Sequence, residues 1–365
     1  MNNVPDVSAH STAATDPDEP GSLAKYTTLR LGGAPYRLVV AEDSDEIVQG
    51  VREAESLGQP VLVLAGGSNV VIGDDGFPGT VILVRSRGHR VLAEDDRTVT
   101  LRVEAGEPWD DLVAATVEAG YSGLECLSGI PGSAGATPIQ NVGAYGQEVA
   151  ETVTGVRAYD RVAGEVVSLT PQECSFAYRS SIFRHSDRWT VLSVDFTLQR
   201  SPLSTPVRYA ELARALGVGI GDHVPLAQAR ATVRALRAGK GMVLDPEDPD
   251  TRSVGSFFTN PVLDATAYES LVDRADGLGE PPSWPAPSGV VKVSAAWLID
   301  KAGFRKGYRN DAGAAISSKH TLALTNPDGG STAGLIDLAR EIRDGVHNRF
   351  GVTLHPEPVL INCSL

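Results

Sequence analysis

Apolar positions recur along the chain with two periods, one typical of helices and one typical of strands. The segment 44–58 has the helical period, with Ser44 as the predicted N-cap, Gly58 as the stop, and an apolar stripe of Ile47, Val48, Val51, Ala54 and Leu57. The next segment, 61–65, is a short apolar run typical of a buried strand, and it leads into a glycine-rich loop. This order predicts an α/β unit with a ligand loop at the end of its strand.

The same two periods continue to the C-terminus. The alternating pattern predicts strands at 81–84, 90–93, 98–104, 153–159, 165–169, 190–198 and 352–354. The helical pattern predicts helices at 108–119, 209–216, 225–238, 294–303 and 332–349. At 365 residues the chain is too long for one simple core, so we expect more than one domain of mixed helix and strand.

Composition excludes several function classes. The contents of 42% hydrophobic and 21% charged residues are ordinary for a soluble globular protein. A net charge of −14 argues against a nucleic-acid partner, because binding a phosphate backbone needs a concentrated basic face. The apolar runs are too short to cross a membrane, and segment 1–21 lacks the features of a signal peptide. We therefore expect a disordered N-terminal tail and a cytoplasmic protein.

The cysteines and histidines do not indicate a metal site. Cys126, Cys174 and Cys363 are scattered, and the seven histidines show no paired ligand spacing. The usual nucleotide signatures GxGxxG and GxxxxGK[ST] are also missing from the sequence. A metal enzyme and a standard dinucleotide or P-loop fold are therefore not expected.

Two glycine-rich loops are the candidates for ligand binding. In 65–69 (AGGSN), backbone amides could approach a pyrophosphate closely and the two polar side chains could add hydrogen bonds, although a tight turn would use the same residues. The loop 130–146 is long and has no regular period, which is typical of a functional or a disordered segment. Its apolar residues argue against disorder. It is therefore either a ligand loop that accommodates a flat ring or an ordered loop of purely structural role.

A set of motifs in a fixed order carries a resemblance to a known family. They are GGSN at 66–69, GLE followed by IPGSAGATPIQNVGAYG between 123 and 146, YRSSIF at 178–183, GSFFTNP at 255–261, AWLID at 296–300 and HPE at 355–357. Together they resemble the UDP-N-acetylenolpyruvoylglucosamine reductases, which make UDP-N-acetylmuramate for peptidoglycan. The resemblance runs from about Leu23 to the C-terminus. Tyr209 in RYAEL indicates the subclass in which a tyrosine loop closes over the substrate diphosphate.

The resemblance implies an α+β fold, a cofactor and a set of partners. It implies a flavin-binding domain of the vanillyl-alcohol-oxidase (PCMH) type in two subdomains, followed by a C-terminal α+β substrate domain. The expected boundaries are a tail at 1–22, a first FAD-binding subdomain at 23–86 completed by 350–365, a second at 87–243, and a substrate-binding domain at 244–349. FAD would be the cofactor and NADPH the electron donor. We expect a monomer with small-molecule partners and neither nucleic acid nor membrane.

The resemblance also implies which residues contact FAD. The first loop would contribute Ala65, Gly66, Gly67, Ser68 and Asn69. The second loop would contribute Ile130, Pro131, Gly132, Ala136, Thr137, Ile139, Gln140, Asn141 and Gly143.

Three residues match the family's catalytic positions. Hydride addition from reduced flavin to the enolpyruvyl double bond leaves an enolate, which needs a proton donor and electrostatic stabilisation. The resemblance implies that Ser256 donates the proton and that Arg179 and Glu357 stabilise the enolate. On residue type alone, Arg179 could equally be a surface ion-pair partner. A serine such as Ser256 would more often be a turn residue, and a glutamate such as Glu357 a solvated side chain, so only the resemblance gives these two a catalytic role.

Substrate contacts follow with two departures from the family pattern. Tyr145, Tyr209 and Asn260 match or neighbour substrate-binding positions. Many relatives have a lysine in a KLPDP run, where this chain has 242–246 (MVLDP), so Lys240 or Lys306, or else Arg305, is expected to supply the charge. Ser180 stands where an aspartate often follows the arginine, which leaves the anchor of Arg179 open.

Two other functions would explain part of this pattern. An oxidase of the same flavin fold often attaches its flavin through His or Cys, and segment 64–74 contains neither. A non-catalytic binder of nucleotide sugars would explain the glycine-rich loops but not the three residues at catalytic positions. The sequence therefore favours an NADPH-dependent flavin reductase.

Overall fold

The computed structural model describes residues 21–365, and its secondary structure is mixed throughout. The helices are α1 (Ser44–Ser56), α2 (Trp109–Glu118), α3 (Pro171–Cys174), α4 (Ala210–Leu216), α5 (Leu226–Ala238), α6 (Ala265–Arg274), α7 (Ala295–Lys301) and α8 (Thr332–Phe350). In that part of the chain, no helix combines the length and the apolar character that a membrane span requires. Residues 1–20 of the tail predicted at 1–22 lie outside the described residues.

The strands are short and numerous. They are β1 (Pro35–Ala41), β2 (Val61–Leu64), β3 (Val70–Ile72), β4 (Phe77–Val84), β5 (His89–Glu94), β6 (Thr98–Glu104), β7 (Tyr121–Ser122), β8 (Gly143–Ala144), β9 (Gln147–Glu148), β10 (Val153–Asp160), β11 (Glu165–Leu169), β12 (Trp189–Arg200), β13 (Ser253–Ser256), β14 (Val262–Leu263), β15 (Ser283–Pro285), β16 (Val291–Val293), β17 (Ala315–Ile316), β18 (Ala323–Thr325) and β19 (Val359–Ile361).

The chain forms two compact units that do not follow the boundaries expected from the sequence. The central unit comprises 35–69 and 77–251, and the terminal unit comprises the described residues up to Ala34 together with 70–76 and 252–365. The expected division into subdomains is a different one and stays a prediction. The long-range parallel pairing of β3 with β19 places 70–76 with the C-terminal segment, which the expected boundaries also group with 23–86. Ser22, expected in the tail, is buried and donates to Gly32 O at 2.8 Å.

The first part of the central unit is a parallel sheet with the order β1-β4-β2. Ile47, Val48 and Val51 of α1 are buried in one cluster with apolar residues of this sheet, as the helical period predicts. Two details of the prediction are wrong. The N-cap is Asp43, whose carboxylate accepts from two backbone amides of the first turn at 2.9 and 2.8 Å. Leu57 is 64% exposed because α1 ends one residue before it.

The second part of the central unit is an antiparallel sheet with the order β11-β10-β12-β6-β5, and β7 pairs with β12. Helix α2 contributes the fully buried Trp109, whose ring lies 5.8 Å from that of Phe196 in β12. The Trp109 indole donates to Leu127 O at 3.0 Å, so its polar atom is satisfied inside the core. This packing ties the sheet to the segment that leads into loop 130–146.

The terminal unit contains the sheets β13-β18-β17 and β14-β16-β15, the β3–β19 pair and helices α6 to α8. Asp74, just after β3, accepts hydrogen bonds from the amides of Thr332 and Ala333 at 2.7 and 2.9 Å, which satisfies donors at the start of α8. The strand predicted at 352–354 is wrong. Val352 and Leu354 are buried in the core, so their alternation reflects packing rather than pairing with a strand.

Candidate active site

The two glycine-rich loops of the central unit pack backbone against backbone. A Cβ atom on Gly66 would lie 2.7 Å from Gly132 Cα, and one on Gly132 would lie 2.7 Å from Ser68 Oγ. Gly132 also has a φ of 118°, which residues with a side chain rarely adopt. The Ser68 hydroxyl donates to Pro131 O at 3.1 Å. The loops that the sequence analysis treated separately therefore form one continuous surface.

This surface suits an anionic ligand. Segments 65–69 and 130–146 contain no acidic residue. Gly67 and Gly132 both have positive φ values, a backbone conformation that glycine adopts readily and that occurs in anion-binding loops. Ser133 Oγ is buried and has no hydrogen-bond partner within residues 21–365. A buried hydroxyl normally has a hydrogen-bond partner. The free Ser133 hydroxyl is therefore consistent with a bound ligand that accepts its hydrogen bond, such as the diphosphate of a dinucleotide.

The second loop is held by its backbone. Gly135 donates its amide to Ala105 O and Ala134 donates to Glu107 O, both at 2.9 Å. A Cβ on Gly135 would lie 2.5 Å from Ala105 Cβ, so only glycine fits there. The Thr137 hydroxyl donates to Ala134 O at 2.7 Å. The loop is therefore an ordered part of the unit.

Asn141 is bound to protein groups through both ends of its amide. Its Nδ2 donates to Glu148 Oε2 at 2.8 Å and to Ala177 O at 3.1 Å, and its Oδ1 accepts from Ala150 N at 3.1 Å. The side chain is 1% exposed. This gives Asn141 a structural role that the sequence analysis did not foresee. Its contact with FAD stays a prediction, as do those of the other loop residues.

Arg179 lies in a tight turn that is closed by two backbone hydrogen bonds between Ala177 and Ser180, at 3.0 and 3.1 Å. Its own φ is 51°, a left-handed conformation uncommon for a residue with a long side chain. The guanidinium donates to Gly143 O at 2.8 Å and to Asn141 O at 3.4 Å. Two carbonyl groups of the second loop thus anchor Arg179, which answers the question raised by the missing aspartate at position 180.

Tyr145, Tyr209 and Lys240 come together in the central unit. The two tyrosine rings meet edge to face with centres 5.5 Å apart, and Lys240 Nζ lies 5.6 Å from the centre of the Tyr145 ring. Lys240 also donates to Glu211 Oε2 at 2.7 Å. Sequence reasoning missed Glu211, although its position two residues after Tyr209 was a usable signal.

The ionisation of this cluster follows from its contacts. Burial raises the pKa of the Tyr145 phenol, and the nearby Lys240 ammonium offsets only part of that rise. Burial by itself would lower the pKa of Lys240, but the hydrogen bond to Glu211 and neighbouring negative charge raise it overall. Lys240 is therefore a cation at neutral pH, and Tyr145 is a neutral hydrogen-bond donor.

In the terminal unit, Ser256 lies at the end of a bulged strand. Ser253 pairs with Thr325 and Ser256 with Ala323, so two residues of β13 stand opposite one residue of β18. Gly255, inside the bulge, has a φ of 73°. A bulge with a left-handed glycine bends the strand and redirects the next side chain. This local geometry places Ser256 half-buried.

Glu357 lies on a segment that pairs with the chain just after Ser256. The Glu357 amide donates to Phe257 O at 2.8 Å, and the amide of Thr259 donates to His355 O at 3.1 Å. Phe257 and Phe258 are buried beneath this pairing. The structure therefore brings two of the three predicted catalytic residues to adjacent backbone segments of the same unit.

Two residues of the terminal unit that were predicted to bind substrate, Asn260 and Lys306, lie in surroundings that do not by themselves indicate a ligand. Asn260 Oδ1 accepts from Ala295 N at 2.9 Å and so satisfies an amide at the start of α7. Lys306 and Arg305 lie in an exposed turn. Within the described residues, no group of three or more His, Cys, Asp or Glu side chains could hold a metal ion.

Comparison with known proteins decides the family. A family model described as an FAD binding domain matches residues 35–170, and one described as the C-terminal domain of UDP-N-acetylenolpyruvoylglucosamine reductase matches 246–361. A UDP-N-acetylenolpyruvoylglucosamine reductase from Salinispora arenicola is 67% identical over the full length of both chains. The chain belongs to the UDP-N-acetylenolpyruvoylglucosamine reductase family.

Two further relatives agree with this assignment. A UDP-N-acetylenolpyruvoylglucosamine reductase from Streptomyces coelicolor is 57% identical, covering 94% of this chain and 90% of its own. The crystal structure of the reductase from Thermus caldophilus is 24% identical, with a TM-score of 0.63 over 93% of this chain and 97% of that one, and it supports the fold.

Three predictions are thereby confirmed. The fold is α+β, with a flavin-binding domain of the vanillyl-alcohol-oxidase type and the C-terminal domain of the family. The protein is an enzyme, an oxidoreductase. Its cofactor is FAD, which agrees with the fit of the glycine-rich surface to a diphosphate.

Proposed function

We propose that the enzyme reduces UDP-N-acetylglucosamine enolpyruvate to UDP-N-acetylmuramate, using NADPH, in the synthesis of peptidoglycan precursors. The observation that carries the proposal is the placement of Ser256 and Glu357 on paired backbone segments, at motif positions of a family whose relatives bear this name. An oxidase has no evident use for a proton donor at this place.

FAD, when bound and reduced, supplies the hydride that adds to the enolpyruvyl double bond. The chain's own residues then handle the charge and the proton. Ser256 donates a proton to the carbon that carries enolate character. A serine hydroxyl is a weak acid, so its proton transfer depends on stabilisation of the charge around it.

Arg179 and Glu357 provide that stabilisation in this proposal. A guanidinium pairs with a carboxylate through planar, charge-assisted hydrogen bonds, and it favours the enolate form next to that carboxylate. Glu357 can stabilise an enolate only as the protonated acid, because an ionised carboxylate would repel it. Glu357 would therefore hold a proton during the step.

For the rest of the substrate, we propose that Tyr145, Tyr209 and Lys240 bind the diphosphate. The protonated Lys240 beside two tyrosine rings supports this role, and Tyr209 is 45% exposed and so accessible to a ligand. Lys240 would then supply the positive charge that, in many relatives, comes from the lysine of the KLPDP run. Asn260 and Lys306 stay weaker candidates, since one satisfies a helix amide and the other lies in an exposed turn.

We also propose that the enzyme works in the cytoplasm as a monomer with no nucleic-acid or membrane partner. The net charge of −14 supports the lack of a nucleic-acid partner.

A visible spectrum followed by two additions tests the function. The purified protein should show oxidised flavin absorbance, NADPH should bleach it without oxygen, and the enolpyruvyl substrate should restore it. Restoration by oxygen alone, with no effect of the substrate, would indicate the oxidase. Flavin that NADPH does not bleach would indicate a nucleotide-sugar binder. A protein that stays colourless after reconstitution with FAD would overturn the proposal.

A further inference from the structure

We propose that Asn141 and Glu148 are positioning residues for Arg179, which they hold in its left-handed turn in place of the acidic neighbour that position 180 lacks. The inference rests on the proposed function in one respect only, the action of Arg179 on the substrate. Neither side chain needs to touch the substrate for this role.

The backbone of the turn is strained at Arg179. Its φ is 51°, a left-handed conformation that is unfavourable for a residue with a side chain. Such a conformation persists where the surroundings impose it. The turn therefore needs contacts from outside its own residues, and Ser180 offers no charge to supply them.

Asn141 supplies contacts to both parts of the turn. Its Nδ2 donates to Ala177 O, in the first residue of the turn, at 3.1 Å. Its backbone oxygen accepts from the Arg179 guanidinium at 3.4 Å. One residue thus contacts the turn's backbone and the functional side chain together. Asn141 has a φ of 43°, a conformation that asparagine tolerates better than most residues.

Glu148 in turn fixes Asn141. Its Oε2 accepts from Asn141 Nδ2 at 2.8 Å, and Glu148 pairs directly with Gly143 across the β8–β9 hairpin. Gly143 O is the other carbonyl that holds the guanidinium, at 2.8 Å. Glu148 is therefore linked to both carbonyl groups that anchor Arg179, through Asn141 on one side and the hairpin on the other.

The packing around Gly143 shows how tightly these groups fit. A Cβ on Gly143 would lie 2.9 Å from Glu148 Cγ and 3.1 Å from Arg179 Nη1. The glutamate stem and the guanidinium thus approach the same face of one glycine. A change in the position of Glu148 is expected to move the anchors of Arg179.

A double-mutant cycle tests the inference. Reoxidation of the reduced enzyme by the enolpyruvyl substrate is measured in single turnover for Glu148→Ala, Arg179→Ala and the double variant. Glu148→Ala should slow it by about 10–100-fold, since misplacement of a functional group by about 1 Å has such an effect. In the Arg179→Ala background the same change should have no further effect, because the two residues act as a unit.

Further readouts separate positioning from general damage. Reduction by NADPH and FAD content should be unchanged in Glu148→Ala. Glu148→Gln keeps an acceptor oxygen for Asn141 and should recover most of the rate. Asn141→Ser shortens the side chain, loses its contact with Ala177 and should slow reoxidation by the substrate as Glu148→Ala does. Its FAD content is measured alongside, because Asn141 is also a predicted FAD contact. Glu165→Gln is the matched control, because Glu165 is an exposed glutamate of β11 and lies outside both the hairpin and the Arg179 turn.

The other possible outcomes contradict either the positioning inference or the role of Arg179 in the proposed function. If Arg179→Ala is slow and Glu148→Ala is not, the positioning inference fails and the proposed function stands. If the two changes are multiplicative, Glu148 acts independently of Arg179 and the inference fails. If Arg179→Ala itself leaves reoxidation unchanged, the role of Arg179 in the proposed function fails, and the inference fails with it. Should Glu148→Ala not fold, Asn141→Ser takes its place in the same cycle with Arg179→Ala.

Discussion

Arg179 in the central unit and Ser256 in the terminal unit are held in opposite ways. Arg179 itself adopts the left-handed conformation, and its side chain is bound to two carbonyl groups of another loop. Ser256 leaves the left-handed conformation to its neighbour Gly255, and a strand bulge sets its place. In one case the predicted catalytic residue itself adopts the strained conformation, and in the other a glycine does so at little cost.

The difference matches the work proposed for each residue. A guanidinium that orients a carboxylate must keep a fixed direction, so hydrogen bonds to its side chain are useful. A hydroxyl that transfers a proton needs a fixed position but also some freedom to rotate, and backbone pairing provides both. The central unit should accordingly be sensitive to loss of polar side chains, and the Ser256 region to changes in backbone conformation.

The largest effect is expected at Ser256 itself. Ser256→Ala should slow reoxidation of the reduced enzyme by the enolpyruvyl substrate by about 10²–10⁴-fold, the usual range for loss of a general acid. Reduction by NADPH should continue at its normal rate, and stopped-flow absorbance follows both steps. Ser283→Ala, on β15 of the same unit, is the control. Equal loss in both steps would indicate damage to the fold rather than loss of a proton donor.

Glu125 tests how far the central unit depends on polar side chains. Its buried carboxylate accepts from Gly123 N, Thr205 N and Thr205 Oγ1 at 2.7, 2.6 and 2.8 Å. Glu125→Ala leaves these donors without a partner and should lower the free energy of unfolding by on the order of 2–4 kcal/mol. Urea unfolding followed by circular dichroism measures this change in the free energy of unfolding. Glu165→Ala, at an exposed position, is the control. A loss no larger than the control's would contradict the contrast drawn above.

Alanine substitutions at Gly66 in the central unit and Gly255 in the terminal unit should destabilise the protein for different reasons. Gly66→Ala should destabilise the enzyme by about 1–3 kcal/mol and weaken FAD binding, because the new Cβ meets Gly132 Cα at 2.7 Å. Gly255→Ala should cost about 1–2 kcal/mol through backbone strain alone, because no atom lies within 4 Å of its added Cβ.

Asparagine distinguishes these two causes. It tolerates the left-handed conformation, so Gly255→Asn should be more stable than Gly255→Ala. Gly66→Asn should be no more stable than Gly66→Ala, because both residues carry the Cβ atom that clashes with Gly132. Thermal unfolding and the fraction of bound FAD are the measurements. A Gly255→Asn variant as unstable as Gly255→Ala would show that strain at the bulge is not the cause.

The smallest effect is expected in the pH dependence of the central unit. The hydrogen bond from Arg188, at 2.6 Å, and backbone amides lower the pKa of Asp160 to about 2. Because the folded value lies below the unfolded value, the stabilisation is complete above about pH 4 and is lost as the pH falls towards 2. Asp160→Asn should show a shallower loss of stability over that range. Asp187→Asn removes the same charge nearby and should keep the steep slope.

Much of the local structure was available from the sequence. The helical stripe at 44–56 and the strands at 98–104 and 165–169 lie where their periods predict, because each period reflects burial of one face of a single element. The sequence pattern does not fix the position of the N-cap of α1, because Asp43 and Ser44 are both good N-cap residues and only the backbone conformation distinguishes them.

The sequence alone also determined the family, the FAD cofactor and the α+β fold, because the motifs and their order can be recognised without knowing any contact in the folded protein. Tertiary structure decided the two units, through the β3–β19 pairing, and it decided how the predicted catalytic residues are held. The bonds from Asn141 to Ala177 and from Arg179 to Gly143 join segments 36 residues apart. Such bonds leave no local period, because they depend on where the folded chain brings two loops together.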